Sequence, residues 1–211
     1  MLGAAAAAWI LVSGVPIALV ALLSLATFWW HYRGLIAGLR PFGGYANCLT
    51  VFRLALVLAA AAFLTRLPAG GAAAIFAANV ALDVADGHAA RRMQQTSRFG
   101  AALDRESDAV FVLVAYTYFF LRADVGAWIL LPGMLPYAYR LAAAACTESQ
   151  ADGGRERHAV LLAGVNYGLL LAATIVSGNA RVAVLIISTG IVACSFLASF
   201  HRLHRHVYSS P

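Results

Sequence analysis

The sequence predicts an all-α protein, a polytopic transmembrane helical bundle, and three observations lead there. Hydrophobic residues make up 62% of the 211 positions and charged residues only 11%, too few to solvate the surface of a water-soluble domain. The apolar residues gather into seven runs, each long enough to cross a bilayer as a helix and separated by short polar connections. All fifteen basic residues are arginine, and most of them collect in alternate connections, the pattern of a chain threaded back and forth through a membrane.

The first run, Ala4–Trp30, carries no charge. It lacks a basic leader and is longer than a signal-peptide core, so it reads as a retained span. Trp29, Trp30 and Tyr32 at its end suit an interfacial aromatic belt. A basic connection through Arg33, Arg40, Pro41, Gly43 and Gly44 leads to the second span, about Ala46–Leu64. The third is about Ala72–Ala90, the fourth Phe99–Leu121, the fifth Val125–Ala145, the sixth Ala159–Val176 and the seventh Val182–Phe200. Pro132, Gly133 and Pro136 predict a kink or broken turn within the fifth. No internal repeat or long linker interrupts the order. A single integral-membrane domain over 1–211 is expected, with 1–44 forming an N-terminal helix and cytoplasmic loop ahead of 45–211.

Arg33, Arg40, Arg91, Arg92, Arg98, Arg155, Arg157, Arg202 and Arg205 fall on one side of this threading, and only Arg66, Arg122 and Arg181 on the other. The positive-inside rule makes the first side cytoplasmic and the N-terminus external, in a cell inner membrane. The formal charge of +6 therefore reports topology and attraction to anionic lipid. No basic run interleaved with aromatics points to nucleic acid. Cys48, Cys146 and Cys194 are scattered without a CxxC pair, which argues against a disulfide framework or a zinc site.

One stretch breaks the apolar pattern. Residues 83–108 hold five of the nine acidic residues: Asp83, Asp86, Asp104, Glu106 and Asp108. A carboxylate at a bilayer centre costs about 2.5–3.5 kcal/mol, so such residues point to function. On helices, Asp83, Asp86 and Gly87 share a face, and Gly100, Asp104 and Asp108 line another at steps of four. An antiparallel pair joined at 93–96 brings the four aspartates together, and their mutual repulsion calls for a cation. An all-oxygen set suits Mg²⁺ or Mn²⁺, and the associated chemistry is transfer at phosphorus.

The spacing Asp83-x2-Asp86-Gly87-x2-Ala90-Arg91-x8-Gly100-x3-Asp104-x3-Asp108 resembles the signature of the CDP-alcohol phosphotransferase (phosphatidyltransferase) family, with every fixed position filled. Upstream, Asn47-x2-Thr50-x2-Arg53 is similar to the segment that opens the family core, with Ala46 where proline is common. The resemblance implies a six-helix core from 45 to 211 plus one extra N-terminal helix. It implies two divalent ions on Asp83, Asp86, Asp104 and Asp108, with Asp108 as general base. It implies a CDP-linked donor, CDP-diacylglycerol from the bilayer, an unspecified alcohol acceptor, CMP release and a homodimer. Asn47, Thr50, Gly87, Ala90, Arg91, Ser97 and Gly100 would contact the CDP moiety, and Arg155 and Arg157 the acceptor.

From the residues alone other roles stay open. Asn47 and Thr50 suit helix capping and back-bonding. Gly87 and Ala90 suit tight helix packing, and Ser97 is a loop serine. Arg155 and Arg157 equally suit membrane anchoring, and Arg140 either snorkels or faces a polar cavity. The tail His201–His206 reads as a basic surface segment rather than a metal site. Two other functions compete. One is a transferase using a soluble CDP-headgroup with a lipid acceptor. The other is a carboxylate-lined cation transporter, which leaves the spacing of Gly87, Ala90, Arg91 and Gly100 unexplained.

Overall fold

The computed structural model describes residues 26, 29, 30, 33, 45–92, 97–122, 125–145 and 157–209. Among them every regular element is helical: α1 (Tyr45–Ala62), α2 (Ala69–Arg92), α3 (Arg98–Arg122), a 3₁₀ turn (Ala127–Leu130), α4 (Leu131–Ala145), α5 (Arg157–Ile175) and α6 (Gly178–Ser209). These follow the second to seventh predicted spans. Most of the first span, the 93–96 connection and the loop at 146–156 lie outside the described residues. Two helices contain stretches long and apolar enough to cross a membrane, Ala69–Ala89 in α2 and Gly178–Arg205 in α6; α1 and α5 hold shorter apolar stretches. The contacts divide the chain into two compact units, Met1–Val114 and Ala115–Pro211, and the division falls inside α3.

In the first unit α1 and α2 form a hairpin. A turn at Phe63–Arg66, closed by the Arg66 N–H donating to the Phe63 carbonyl at 2.8 Å, reverses the chain ahead of Pro68. The buried residues of α1 include Asn47, Thr50, Leu54, Val57, Ala61 and, just past its end, Leu64. These alternate at steps of three and four, the seam of a helix packed nearly parallel to its neighbours. In α2 the matching seam is Ala72, Phe76, Asn79 and Asp86, with Asp83 half-buried in the same row. Thr50 meets Asp86 and Arg53 meets Asp83, so α1 and α2 are antiparallel. Asn47 lies against Gly100 and Arg53 reaches Ser107, so α3 runs parallel to α1. Phe76 packs edge-on against Phe111 with centroids 5.4 Å apart. Trp29 packs against the cluster of Phe99, Ala102 and Leu103.

In the second unit α5 and α6 pair closely and α4 packs on α6. Gly178, at a φ of 58° that disfavours a side chain, makes the tight reversal between α5 and α6. Arg181 Nε donates to the Val176 carbonyl at 2.9 Å and satisfies that helix end. Tyr139 of α4 stands edge-on to Phe196 and Phe200 of α6, at 6.2 and 5.4 Å. A buried polar triangle crosses three helices: the Tyr116 hydroxyl lies 2.9 Å from Asn166 Oδ1 and 2.7 Å from Ser188 Oγ, and Ser188 donates to Asn166 at 2.6 Å.

Two details differ from the sequence expectation. The irregular turn of the fifth span precedes Leu131 as the 3₁₀ segment, and α4 continues through Pro136. Pro132 sits in the first helical turn, where its missing N–H costs no hydrogen bond. And α6 does not stop near Phe200 but carries the basic tail onward as helix to Ser209.

Candidate functional site

The seams of α1, α2 and α3 converge on charge. Asp83 from α2 and Asp104 and Asp108 from α3 present carboxylate oxygens all within 4.8 Å of one another. The reason is periodic: Asp104 and Asp108 are one turn apart on the face of α3 that meets α1 and α2. All three side chains keep some exposure, at 31%, 25% and 15% respectively. Asp86, one turn further along α2, is more deeply buried and accepts a hydrogen bond from Thr50 Oγ1 at 2.8 Å. The four aspartates are brought to one place, but Asp86 stands beside the other three instead of among them.

In the middle lies Arg53, with no exposed surface. Its Nη1 contacts Asp83 and lies 3.8 Å from Asp86 Oδ2. Its Nη2 is 2.9 Å from Asp104 Oδ1 and 3.3 Å from Asp108 Oδ1, and Nε donates to Ser107 Oγ at 3.1 Å. Four carboxylates facing one guanidinium leave three negative charges in excess. Hard oxygen donors this close, still under-neutralised, fit a divalent cation of the Mg²⁺ or Mn²⁺ type.

Beside this cluster stand Asn47, Ser97 and Gly100. Ser97 caps α3, its Oγ accepting from the Gly100 N–H at 2.9 Å. A Cβ built on Gly100 would meet Asn47 Oδ1 at 2.6 Å and Ser97 Oγ at 3.1 Å, so a side chain fits there only if Asn47 moves. Asn47 is buried within the first turn of α1, and its amide oxygen stands against Gly100 of α3.

The sequence profile of the CDP-alcohol phosphatidyltransferase family matches residues 44–195. The chain belongs to the CDP-alcohol phosphatidyltransferase family. A CDP-diacylglycerol–glycerol-3-phosphate 3-phosphatidyltransferase of Pseudomonas fluorescens is 32% identical over 115 residues, 53% of this chain and 58% of that relative. The match thus spans a little over half the relative's length. No solved structure matches the chain at a significant level.

The family match begins one residue before α1 and takes in the whole aspartate motif. Of the residues picked from that motif, Asp83, Asp86, Asp104, Asp108, Asn47, Thr50, Ser97 and Gly100 stand together in the first unit. Gly87 is half-buried on α2 beyond Asp86. Ala90 and Arg91 lie in the last turn of α2 and Arg157 opens α5, but their side chains, like all of Arg155, lie outside the described residues. What the motif reading passed over is Arg53. It is the third fixed position of Asn47-x2-Thr50-x2-Arg53, and an arginine in an otherwise apolar helix, on the face of Thr50, was the available signal.

Proposed function

We propose that this chain is a divalent-metal-dependent membrane transferase that moves a phosphatidyl group from CDP-diacylglycerol to an acceptor hydroxyl, releasing CMP. The observation that carries the proposal is the trio Asp83, Asp104 and Asp108 in reach of a common ion, inside the family's motif. Those three, with Asp86, are the residues that would hold metal. Bound there, divalent metal supplies Lewis-acid stabilisation of charge on the diphosphate oxygens.

The chain's own residues do the rest. Asn47, Thr50, Gly87, Ala90, Arg91, Ser97 and Gly100 form the cradle proposed for the CDP moiety, with Gly100 leaving backbone free for close approach. Asp108 takes the proton of the acceptor hydroxyl as its oxygen attacks the β-phosphorus. The new P–O bond forms as the bond from that phosphorus to the bridging oxygen breaks, and CMP leaves with that oxygen. A carboxylate is a modest base, so orientation of the two substrates must supply much of the rate. The relative's name supports a phosphorylated small alcohol as acceptor, glycerol 3-phosphate first. Arg155 and Arg157 are the proposed contacts for its phosphate, as charge-assisted and potentially bidentate donors.

The reading extends to one multi-pass domain of the inner membrane, with the aspartates opening to the cytoplasm, acting as a homodimer. Exposed apolar side chains on the helix surfaces, among them Phe52, Leu161, Ile175, Ile186, Ile187 and Leu197, suit a lipid surround.

The test is purified protein with CDP-diacylglycerol, Mg²⁺ and a panel of alcohols, lipid products being identified by mass. CMP release, a phosphatidyl product and loss of both in excess chelator are expected. Asp108→Asn should nearly abolish turnover while CDP binding persists, and Asp83→Asn should impair both. Full turnover in chelator would rule out the metal role. With a soluble CDP-headgroup and diacylglycerol supplied instead, a lipid product that carries that headgroup would reverse the donor assignment.

A further inference from the structure

Arg53 makes more contacts with the aspartates than a residue merely filling space between helices would need. Its buried guanidinium touches each of the three carboxylates that form the candidate metal group, as well as approaching Asp86. A guanidinium has only N–H donors and no lone pair, so it binds the same oxygens a metal ion uses but cannot itself ligate the ion. Two cations contending for these oxygens also repel one another, and the burial of Arg53 leaves little solvent to screen them. We propose that Arg53 is a built-in counter-cation: it holds Asp83, Asp104 and Asp108 together before an ion binds, and yields their oxygens when one does. Ser107 takes no part in the carboxylate group and holds Nε at 3.1 Å, so it tethers the side chain while the Nη atoms let go. The inference rests on the metal reading above and adds a setting for affinity. Exchange makes the site bind its ion more weakly than the bare carboxylates would, and keeps the helices assembled without it.

The experiment is a Mn²⁺ titration of wild-type, Arg53→Gln and Arg53→Lys proteins in detergent micelles, free ion being followed by electron paramagnetic resonance. Thermal unfolding without and with saturating Mn²⁺ is measured alongside. Exchange predicts that Arg53→Gln binds Mn²⁺ about tenfold more tightly than wild type, within the usual range of coupled binding. It also predicts a lower unfolding temperature without ion and a larger gain on adding it. Arg53→Lys, which keeps the charge but loses the fork, falls between the two. A Gln variant that folds only when purified in Mn²⁺ supports the idea, because the ion then replaces the arginine. A Gln variant that Mn²⁺ does not recover, or a folded Gln or Lys variant with unchanged or weaker affinity, overturns it. Wild-type protein with no saturable Mn²⁺ binding removes the metal reading itself, a result distinguishable from failure of exchange alone.

Discussion

Gly100 shows how little room the site leaves at the scale of one residue. Adding a methyl group there places carbon 2.6 Å from Asn47 Oδ1, well inside contact distance, so Asn47 must turn away. Overpacking of this kind costs about 1–3 kcal/mol. Gly100→Ala should therefore lower the unfolding temperature and weaken CDP binding. The double variant Asn47→Ala, Gly100→Ala relieves the clash, and it should recover the unfolding temperature without recovering CDP binding. Unfolding curves and CDP titrations on the single and double variants check both halves, and a double variant with full CDP affinity would remove Asn47 from the cradle. The aspartates and Gly100 were legible in the sequence because fixed spacing on helices dictates which of them share a face, whereas Ser97 came from the family resemblance. Arg53 was legible only as a letter of a motif. Its place among the aspartates depends on how three helices pack, and no single-helix period encodes that.

At the scale of the elements, apolar periodicity locates helices but is blind to polar groups buried among apolar ones. The starts of α1 to α3 fall within a few residues of their predicted spans, whereas α6 overruns because no glycine or proline interrupts the chain between Phe200 and Pro211. Nothing in the pattern separates Tyr116, which closes a hydrogen-bonded triangle, from Asn79, fully buried on α2 with neither amide atom partnered among the described residues. The difference has consequences of opposite sign. Tyr116→Phe removes the hydrogen bond from the Tyr116 hydroxyl to Asn166 Oδ1 but leaves Ser188 donating to Asn166, so it should destabilise by about 1 kcal/mol, in the range for bonds between membrane helices. Asn79→Leu replaces an unsatisfied amide with an apolar group of similar size and should be neutral or stabilising, since such a group costs about 1–3 kcal/mol. Reversible unfolding in micelles measures both. A destabilised Asn79→Leu protein would mean that the amide has a partner in the membrane-embedded protein.

At the scale of the whole molecule, the direction of the chain and the distribution of charge constrain each other. Because α1 and α3 run parallel and α2 opposite, the start of α1, the end of α2 and the start of α3 lie at one end of the first unit. That end carries Arg92 and Arg98 and is nearest the aspartate cluster, while the α1–α2 turn at the other end carries Arg66 alone. In the proposed orientation, which keeps juxtamembrane arginine on the cytoplasmic side, the aspartate end faces the cytoplasm and the α1–α2 turn faces out. In the proposed threading the spans that follow add one basic connection, with Arg155 and Arg157, and one basic tail, with Arg202 and Arg205, on the cytoplasmic side. A fluorescent reporter fused after Pro211 should therefore fold and glow in the cytoplasm, and a phosphatase that works only outside should be inactive there. A cysteine placed in the α1–α2 turn, as Thr65→Cys in a background free of other cysteines, should react with an impermeant thiol reagent added to whole cells. Labelling only after the membrane is opened would invert the chain. It would then place the aspartates on the side where nucleotide-activated lipid is not made, and the transferase reading would fail along with the orientation.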